Sequence, residues 1–251
     1  ALAPCSPFSA GRELYRQSAI LARDLGVRLH THLCETRDEE NYCLERYGER
    51  PLAYMQSVGW VGKDVWYAHG IHFNKEELEL LASTGTGIAH CPISNMKLSS
   101  GICRIPDMLE MGVPVGLAVD GSASNDGSNL LEELRCAYLL HRLNSSSRAP
   151  SGYDLLKIAT RGSARILGRD DIGSLETGKA GDLFMIDTRS LEMVGADLDV
   201  KSLLGTVGWK GAVNCTVVNG KVVVRDGKLT GIDEERTAYE GHRLVKEYLS
   251  R

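Results

Sequence analysis

Several protein classes are excluded by what this sequence of 251 residues lacks. The seven cysteines are an odd number, are scattered and never form a C-x-x-C pair, so neither a disulfide framework nor a structural zinc knuckle is indicated. We therefore expect a reducing, cytoplasmic location. No run reaches the roughly 18 to 20 consecutive apolar residues of a membrane-spanning helix. No charged and apolar leader is evident, and the opening Pro/Ser-rich residues predict that the sequence begins within a fold.

The charge pattern argues against polyanionic partners. The formal net charge is −4, and Lys and Arg are not clustered as binding to nucleic acid or an anionic membrane requires. The glycines between residues 168 and 181 do not have the spacing of a phosphate-binding loop motif. Ser94 and Ser122 do not lie in the G-x-S-x-G motif of a nucleophilic serine. We expect a small-molecule heterocyclic substrate, no nucleic-acid or membrane partner, and a homo-oligomer.

Apolar runs alternate with amphipathic stretches as far as about Leu143, which is typical of β-α units with a parallel sheet. The predicted strands are Val27–Leu33, Val65–Ala68, Thr86–Ala89 and Val113–Val119. The predicted helices are Gly11–Leu25, Asp38–Val58, Lys75–Ala82, Ile105–Met111, Ser128–Arg142 and Tyr153–Leu167. This α/β pattern fits half of an eight-stranded barrel, or alternatively a small doubly wound sheet.

The pattern changes near residue 170. Beyond it, short alternating strands and the turn Asn219-Gly220, a strong hairpin signal, predict a small β domain followed by a helix from Glu234 to Leu249. We accordingly divide the chain into a β/α domain over residues 1–170, a β domain over 171–232 and a C-terminal helix over 233–251.

Polar side chains follow each predicted strand of the first domain. His32 and Glu35 end the first run, and the next three runs end in His69, His90 and Asp120. Because catalytic groups of β/α barrels stand at the carboxyl ends of strands, four such ends in succession favour a site over four structural residues bonded to backbone. Imidazole and carboxylate suit zinc, or iron in a hydrolytic role. A catalytic zinc needs three protein ligands, of which His32 and Asp120 supply only two.

Four segments carry a family resemblance. They are His32-Leu33-Cys34-Glu35-Thr36, Ala68-His69-Gly70-Ile71-His72, His90-Cys91-Pro92-Ile93-Ser94-Asn95-Met96-Lys97-Leu98 and Val119-Asp120-Gly121-Ser122-Ala123-Ser124-Asn125. They resemble strand-end motifs of the amidohydrolase superfamily, in the branch of guanine deaminase, adenosylhomocysteine deaminase and the triazine hydrolases. The sequences of these segments and of residues 1–9 are similar to those of bacterial 8-oxoguanine deaminases in particular.

The resemblance implies a role for each strand-end residue. His32 would be a metal ligand, and Glu35 an acid/base in contact with the substrate ring. His69 would hydrogen-bond the metal-bound water or the substrate, and Asp120 would both bind metal and act as general base. One zinc, or alternatively iron, would be held per subunit.

The resemblance also implies the fold and the reaction. The fold would be the C-terminal half of a (β/α)8 barrel with part of a small β-sandwich, and the reaction would be hydrolysis of 8-oxoguanine to urate and ammonia. The first-strand His-x-His pair of that family is absent, because the Leu-x-Glu after His30-Thr31-His32 marks the fifth strand. We expect the two further metal ligands to lie upstream of this sequence.

Three alternatives remain open at this point. A guanine deaminase, or a triazine-type chlorohydrolase or aminohydrolase, would use the same strand-end groups, whereas an inactive half-barrel scaffold would bind no metal. Other polar residues have weaker expectations. Asn95 and Asn125 are interpreted as loop anchors or substrate contacts, His72 and His90 as pocket-lining residues, and His141 and His242 as packing or surface residues.

Overall fold

The computed structural model describes residues 1–250, which form two compact units. The first unit contains residues 1–173 and 199–209, and the second contains residues 174–198 and the chain from Lys210 onward. No helix in the described part of the chain is long and apolar enough to cross a membrane.

A four-stranded parallel sheet lies at the centre of the first unit, with its strands in sequence order. These strands are β1 (Leu29–Leu33), β2 (Val65–His69), β3 (Gly87–His90) and β4 (Val115–Leu117). Every residue of β2, β3 and β4 is buried, as expected for a parallel sheet covered on both faces. The register aligns His32 with Ala68, Ala68 with Ala89, and Ala89 with Gly116, so all four carboxyl ends lie along one edge.

Helices connect and follow these strands. They are α1 (Arg12–Asp24), α2 (Arg37–Tyr47), α3 (Pro51–Ser57), α4 (Lys75–Thr84), α5 (Pro92–Lys97), α6 (Ile105–Met111), α7 (Ser122–Asn125), α8 (Leu130–Ser145), α9 (Gly152–Lys157), α10 (Ser163–Leu167) and α11 (Leu203–Thr206). A π-helical turn over Ile158–Gly162 joins α9 to α10. The parallel α/β organisation predicted from the sequence is confirmed.

Two predictions for this region were wrong in detail. The single helix expected over Asp38–Val58 is two helices, because Gly48 ends α2 in the left-handed conformation and Pro51 starts α3. The short helices α5 and α7 lie within the strand-end motifs that begin at His90 and Val119, where the sequence analysis predicted no helix. Both are too short to show a helical period in the sequence.

The inner face of the parallel sheet packs against Ile166 of α10. Ile166 forms a buried cluster with Trp66 and Ala89. A Cβ on Gly116 would lie 2.6 Å from Ile166 Cδ1 and 3.0 Å from the Cα of Ser163. Glycine is therefore required at position 116 for α10 to approach the sheet this closely.

The N-terminal residues and Ser163 of α10 contact the two outer strands of the sheet. Leu2 forms an isolated parallel bridge with Leu29 of β1, and the Cys5 carbonyl accepts a hydrogen bond from the backbone N–H of His32 at 3.0 Å. At the other edge, Ser163 Oγ lies 3.1 Å from the N–H of Leu117 in β4 and accepts its hydrogen bond. These contacts fix the positions of the first and last strands.

The second unit contains an antiparallel four-stranded sheet in sequence order. Its strands are β5 (Leu183–Met185), β6 (Cys215–Val218), β7 (Lys221–Arg225) and β8 (Lys228–Leu229). The predicted Asn219-Gly220 hairpin is confirmed, with both residues at positive φ as a two-residue turn requires. The predicted terminal helix is α12 (Glu234–Leu249), whose first turn is capped by Asp233.

Candidate active site

Four side chains singled out in the sequence converge at the carboxyl edge of the parallel sheet. His69 Nε2 lies 3.5 Å from Glu35 Oε2 and 3.9 Å from Asp120 Oδ2. His32 Nε2 lies 3.9 Å from Asp120 Oδ1. Since β1, β2 and β4 present these residues at the same edge, the order and register of the strands bring them close to one another.

The backbone turns sharply at two of these positions. His69 and Asp120 have φ values of 71° and 64°, in the left-handed region that non-glycine residues rarely occupy. Such conformations cost on the order of 1–3 kcal/mol each and persist where the surrounding structure imposes them. Here they direct the two side chains toward each other after their strands have ended.

The charges in the cluster are complementary. The Asp120 carboxylate raises the pKa of the His32 imidazole to about 9. In turn His32, helped by a hydrogen bond from Ser94 Oγ at 2.5 Å, holds the pKa of Asp120 below its usual value. Burial instead lowers the pKa of His30 to about 4, and its neutral ring stacks on Trp66 with ring centroids 4.9 Å apart.

The donor atoms fit a metal ion. His32 Nδ1 lies 2.6 Å from the Cys5 carbonyl oxygen and His69 Nδ1 lies 2.8 Å from Asn95 Oδ1, so each ring turns its Nε2 toward Asp120. The three donor atoms lie within 4.8 Å of one another. Two imidazole nitrogens and a carboxylate oxygen are a zinc-type donor set, and a 3.9 Å separation can be bridged by bonds of about 2 Å.

The geometry adds to the ligand pair expected from the sequence. His32 and Asp120 were expected to bind metal and His69 to lie outside the inner shell, whereas His69 Nε2 is also placed as a third donor. The roles of these residues and of Glu35 stay predictions.

One supporting residue, Glu39, was missed in the sequence. It is 1% exposed, and its carboxylate accepts hydrogen bonds from the N–H groups of Cys34 at 2.9 Å and Glu35 at 3.2 Å. Thr36 Oγ1 accepts from the N–H of Glu39 at 3.3 Å, which caps α2. The T-x-x-E motif formed by Thr36 and Glu39 could have indicated this role, because it is typical of a helix start and places a carboxylate beside the preceding loop.

The other polar residues considered in the sequence differ in burial and in the residues that they contact. Asn95 lies in α5 and contacts His69, and His72 lies 3.1 Å from the Ser100 carbonyl through its Nε2. His90 and His141 are buried with their Nε2 atoms 3.2 Å apart, which confirms a packing role for His141. His242 is exposed on α12, as expected for a surface residue.

Two imidazoles and a carboxylate at the carboxyl edge of a parallel β-α sheet are the arrangement used by metal-dependent hydrolases. The family profile described as the amidohydrolase family matches residues 1–223. The chain belongs to the amidohydrolase family, as its sequence motifs predicted.

The relatives act on several heterocycles. The chain is 48% identical over 233 residues to 8-oxoguanine deaminase from Pseudomonas aeruginosa, covering 93% of this chain and 51% of that protein. It is 47% identical over 240 residues to hydroxydechloroatrazine ethylaminohydrolase from Pseudomonas sp. strain ADP, covering 94% and 50%. The chain thus spans about half the length of these relatives.

A solved structure shares the fold. The crystal structure of atrazine chlorohydrolase TrzN from Arthrobacter aurescens TC1, complexed with zinc, matches with a TM-score of 0.93 at 36% identity. The match covers 98% of this chain and 54% of that one. The amidohydrolase fold, with a parallel sheet of four strands and an antiparallel sheet, is therefore established for this chain.

Proposed function

We propose that this chain forms the C-terminal half of a (β/α)8 barrel together with part of a small β-sandwich. Three observations support the proposal: the four parallel strands follow in sequence order without reversal, their polar ends meet at one edge, and the chain covers about half of its relatives. A doubly wound sheet, the alternative from the sequence, would reverse its strand order at a switch point.

The proposed activity of the complete protein is hydrolytic deamination of a purine-type ring, with 8-oxoguanine converted to urate and ammonia. The main support is that His69 lies close to both Glu35 and Asp120. A ring bound beside these three side chains can receive protons from them and give protons to them on one face. The 48% identity to an 8-oxoguanine deaminase supports the choice of substrate.

The reaction divides between the two carboxylates. When bound, zinc supplies a water whose pKa is lowered from about 15.7 to about 7. Asp120 accepts the proton of the water that adds to the amine-bearing carbon, while Glu35 delivers a proton to the adjacent ring nitrogen. Asp120 then returns its proton to the amine. The carbon–nitrogen bond breaks as the added hydroxyl becomes the product carbonyl, its proton passes to the Glu35 carboxylate, and ammonia leaves. His69, between both carboxylates, holds the substrate or the water by a hydrogen bond.

A second candidate is loss of an alkylamine or chloride from a triazine ring. The 47% identity to the ethylaminohydrolase nearly equals that to the deaminase, and addition of water to a ring carbon is common to both reactions. The two differ only in the group that leaves, so product analysis separates them.

The test uses the complete gene product. Metal is quantified per subunit, and ammonia release is screened with 8-oxoguanine, guanine, isoguanine and cytosine. Ethylamine and chloride release are measured with triazines in parallel. We expect one metal per subunit and ammonia from 8-oxoguanine. Stoichiometric metal with only ethylamine or chloride would select the second candidate, and absence of both metal and product would indicate a scaffold.

A matched experiment tests the half-barrel proposal. We expect the 251 residues expressed alone to hold zinc weakly after dialysis and to release no ammonia, because only His32 and Asp120 are assigned as ligands and the two further ligands are expected upstream. Tight one-to-one zinc binding with turnover by these residues alone would overturn the half-barrel assignment.

A further inference from the structure

The segment from Ser94 to Ser100, called here the α5 segment, contacts three of the four site residues. Ser94 Oγ donates to Asp120 Oδ2 at 2.5 Å, and Ser100 Oγ donates to Glu35 Oε1 at 3.1 Å. Between them, Asn95 Oδ1 accepts from the Nδ1–H of His69 at 2.8 Å. A single short stretch therefore gives one hydrogen bond to each of two carboxylates and one imidazole.

The α5 segment is held firmly at its own ends. Ser94 and Asn95 are 0% and 1% exposed, and the N–H of Ser100 donates to the Asn95 carbonyl at 2.9 Å. Before it, the N–H of Ile93 donates at 3.0 Å to the fully buried carboxylate of Glu133 in α8. The backbone of the segment and its two serine hydroxyls thus have hydrogen-bond partners before any substrate arrives, which a positioning role requires.

The contact to His69 also decides where its ring proton resides. A neutral imidazole carries one proton, and an acceptor at Nδ1 favours the Nδ1–H form, leaving Nε2 as the acceptor atom. That Nε2 is the atom facing Glu35 and Asp120. His69 is 1% exposed, so water does not compete for Nδ1.

We infer that Asn95 is a positioning residue that holds His69 in the Nδ1–H tautomer, while Ser94 and Ser100 hold the carboxylates of Asp120 and Glu35 in place. The tautomer is a property of the folded chain, whereas its effect on turnover rests on the proposed deaminase function. The two are measured separately.

The tautomer test uses the complete gene product loaded with zinc and labelled with ¹⁵N-histidine. The unaltered protein should show the Nδ1–H pattern for His69, assigned by its disappearance in His69→Asn. Asn95→Leu removes the acceptor at similar volume and should lose that pattern, whereas Asn95→Asp keeps an acceptor and should retain it. Ser99→Ala, an exposed neighbour in the same segment, is the matched control and should match the unaltered protein.

Two results would overturn the inference: an Nε2–H form in the unaltered protein, or an unchanged Nδ1–H form in Asn95→Leu. Where Asn95→Leu does not fold, Asn95→Ser replaces it, because serine is too short to reach His69 yet keeps a polar group in the buried position.

Turnover gives the second measurement. With the substrate that the ammonia screen identifies, Asn95→Leu should lower kcat roughly 10- to 100-fold with KM little changed, and Asn95→Asp should restore most of it. Ser94→Ala and Ser100→Ala should each lower kcat while leaving the His69 tautomer unchanged. An altered tautomer with normal kcat would remove Asn95 from the mechanism. Absence of turnover in the unaltered protein would instead refute the proposed function and leave the tautomer result standing.

Discussion

Glu39 holds the backbone of Glu35 in place: its carboxylate accepts the Glu35 N–H at 3.2 Å from a buried position one helical turn further along the chain. The loop that presents the proposed acid/base is therefore anchored independently of the Glu35 side chain. The side chain itself contacts Ser100 Oγ and His69 Nε2. A substitution of the Glu35 carboxylate can thus test chemistry with the loop intact.

We predict that Glu35→Gln lowers turnover by roughly 100-fold or more with metal content near normal, the usual scale for loss of a general acid/base. Steady-state kinetics and metal analysis on the complete protein provide the measurement. Glu45→Gln, on the exposed side of α2, serves as the control. Turnover at the unaltered rate would remove Glu35 from the mechanism.

His69→Asn is predicted to retain metal, because His69 is assigned a hydrogen-bonding role, whereas His32→Asn is predicted to lose most of it. Metal per subunit after dialysis distinguishes the two, with His242→Asn on α12 as the exposed control. Loss of metal from His69→Asn would make its Nε2 an inner ligand, as the three-donor geometry allows.

The free energy of unfolding is predicted to fall as the pH is raised from about 4.5 to about 7, because of Glu133. Burial raises the pKa of this carboxyl to about 7, so across this interval the folded state holds a proton that the unfolded state has released. Glu133 lowers the free energy of unfolding by at most about 1.4 kcal/mol for each pH unit in this interval, and above pH 7 it causes no further loss. Urea unfolding at pH 5, 6, 7 and 8 should show a shallower fall for Glu133→Gln. An equal slope, or the same change in the exposed Glu132→Gln, would contradict this assignment.

Gly116→Ala is predicted to lower the free energy of unfolding by about 1–3 kcal/mol, since its Cβ would meet Ile166 Cδ1 at 2.6 Å. Ile166→Val removes that atom, so the double variant should be more stable than the sum of the single effects predicts. Gly11→Ala, where no atom lies within 4 Å of the new Cβ, is the control. Strictly additive effects would show that the two residues do not compete for this space.

The helical and strand segments followed largely from local patterns in the sequence. The terminal helix and the Asn219-Gly220 hairpin carry their own capping and turn residues, so neighbours were not needed to predict them. The break before Pro51 and the helix α5 were missed for the opposite reason. Their boundaries depend on a few residues within segments too short to show a helical period.

Chain order and apolar alternation are local properties, so they show which side chain follows each strand. His32, Glu35, His69 and Asp120 were therefore predictable as candidates from the sequence. Which atoms of these residues face one another became visible in the folded chain. That outcome depends on strand register, on the left-handed backbone at His69 and Asp120, and on contacts such as Asn95 with His69. These features depend on residues that are distant in the chain and on the packing of the whole sheet. A local sequence pattern does not contain that information.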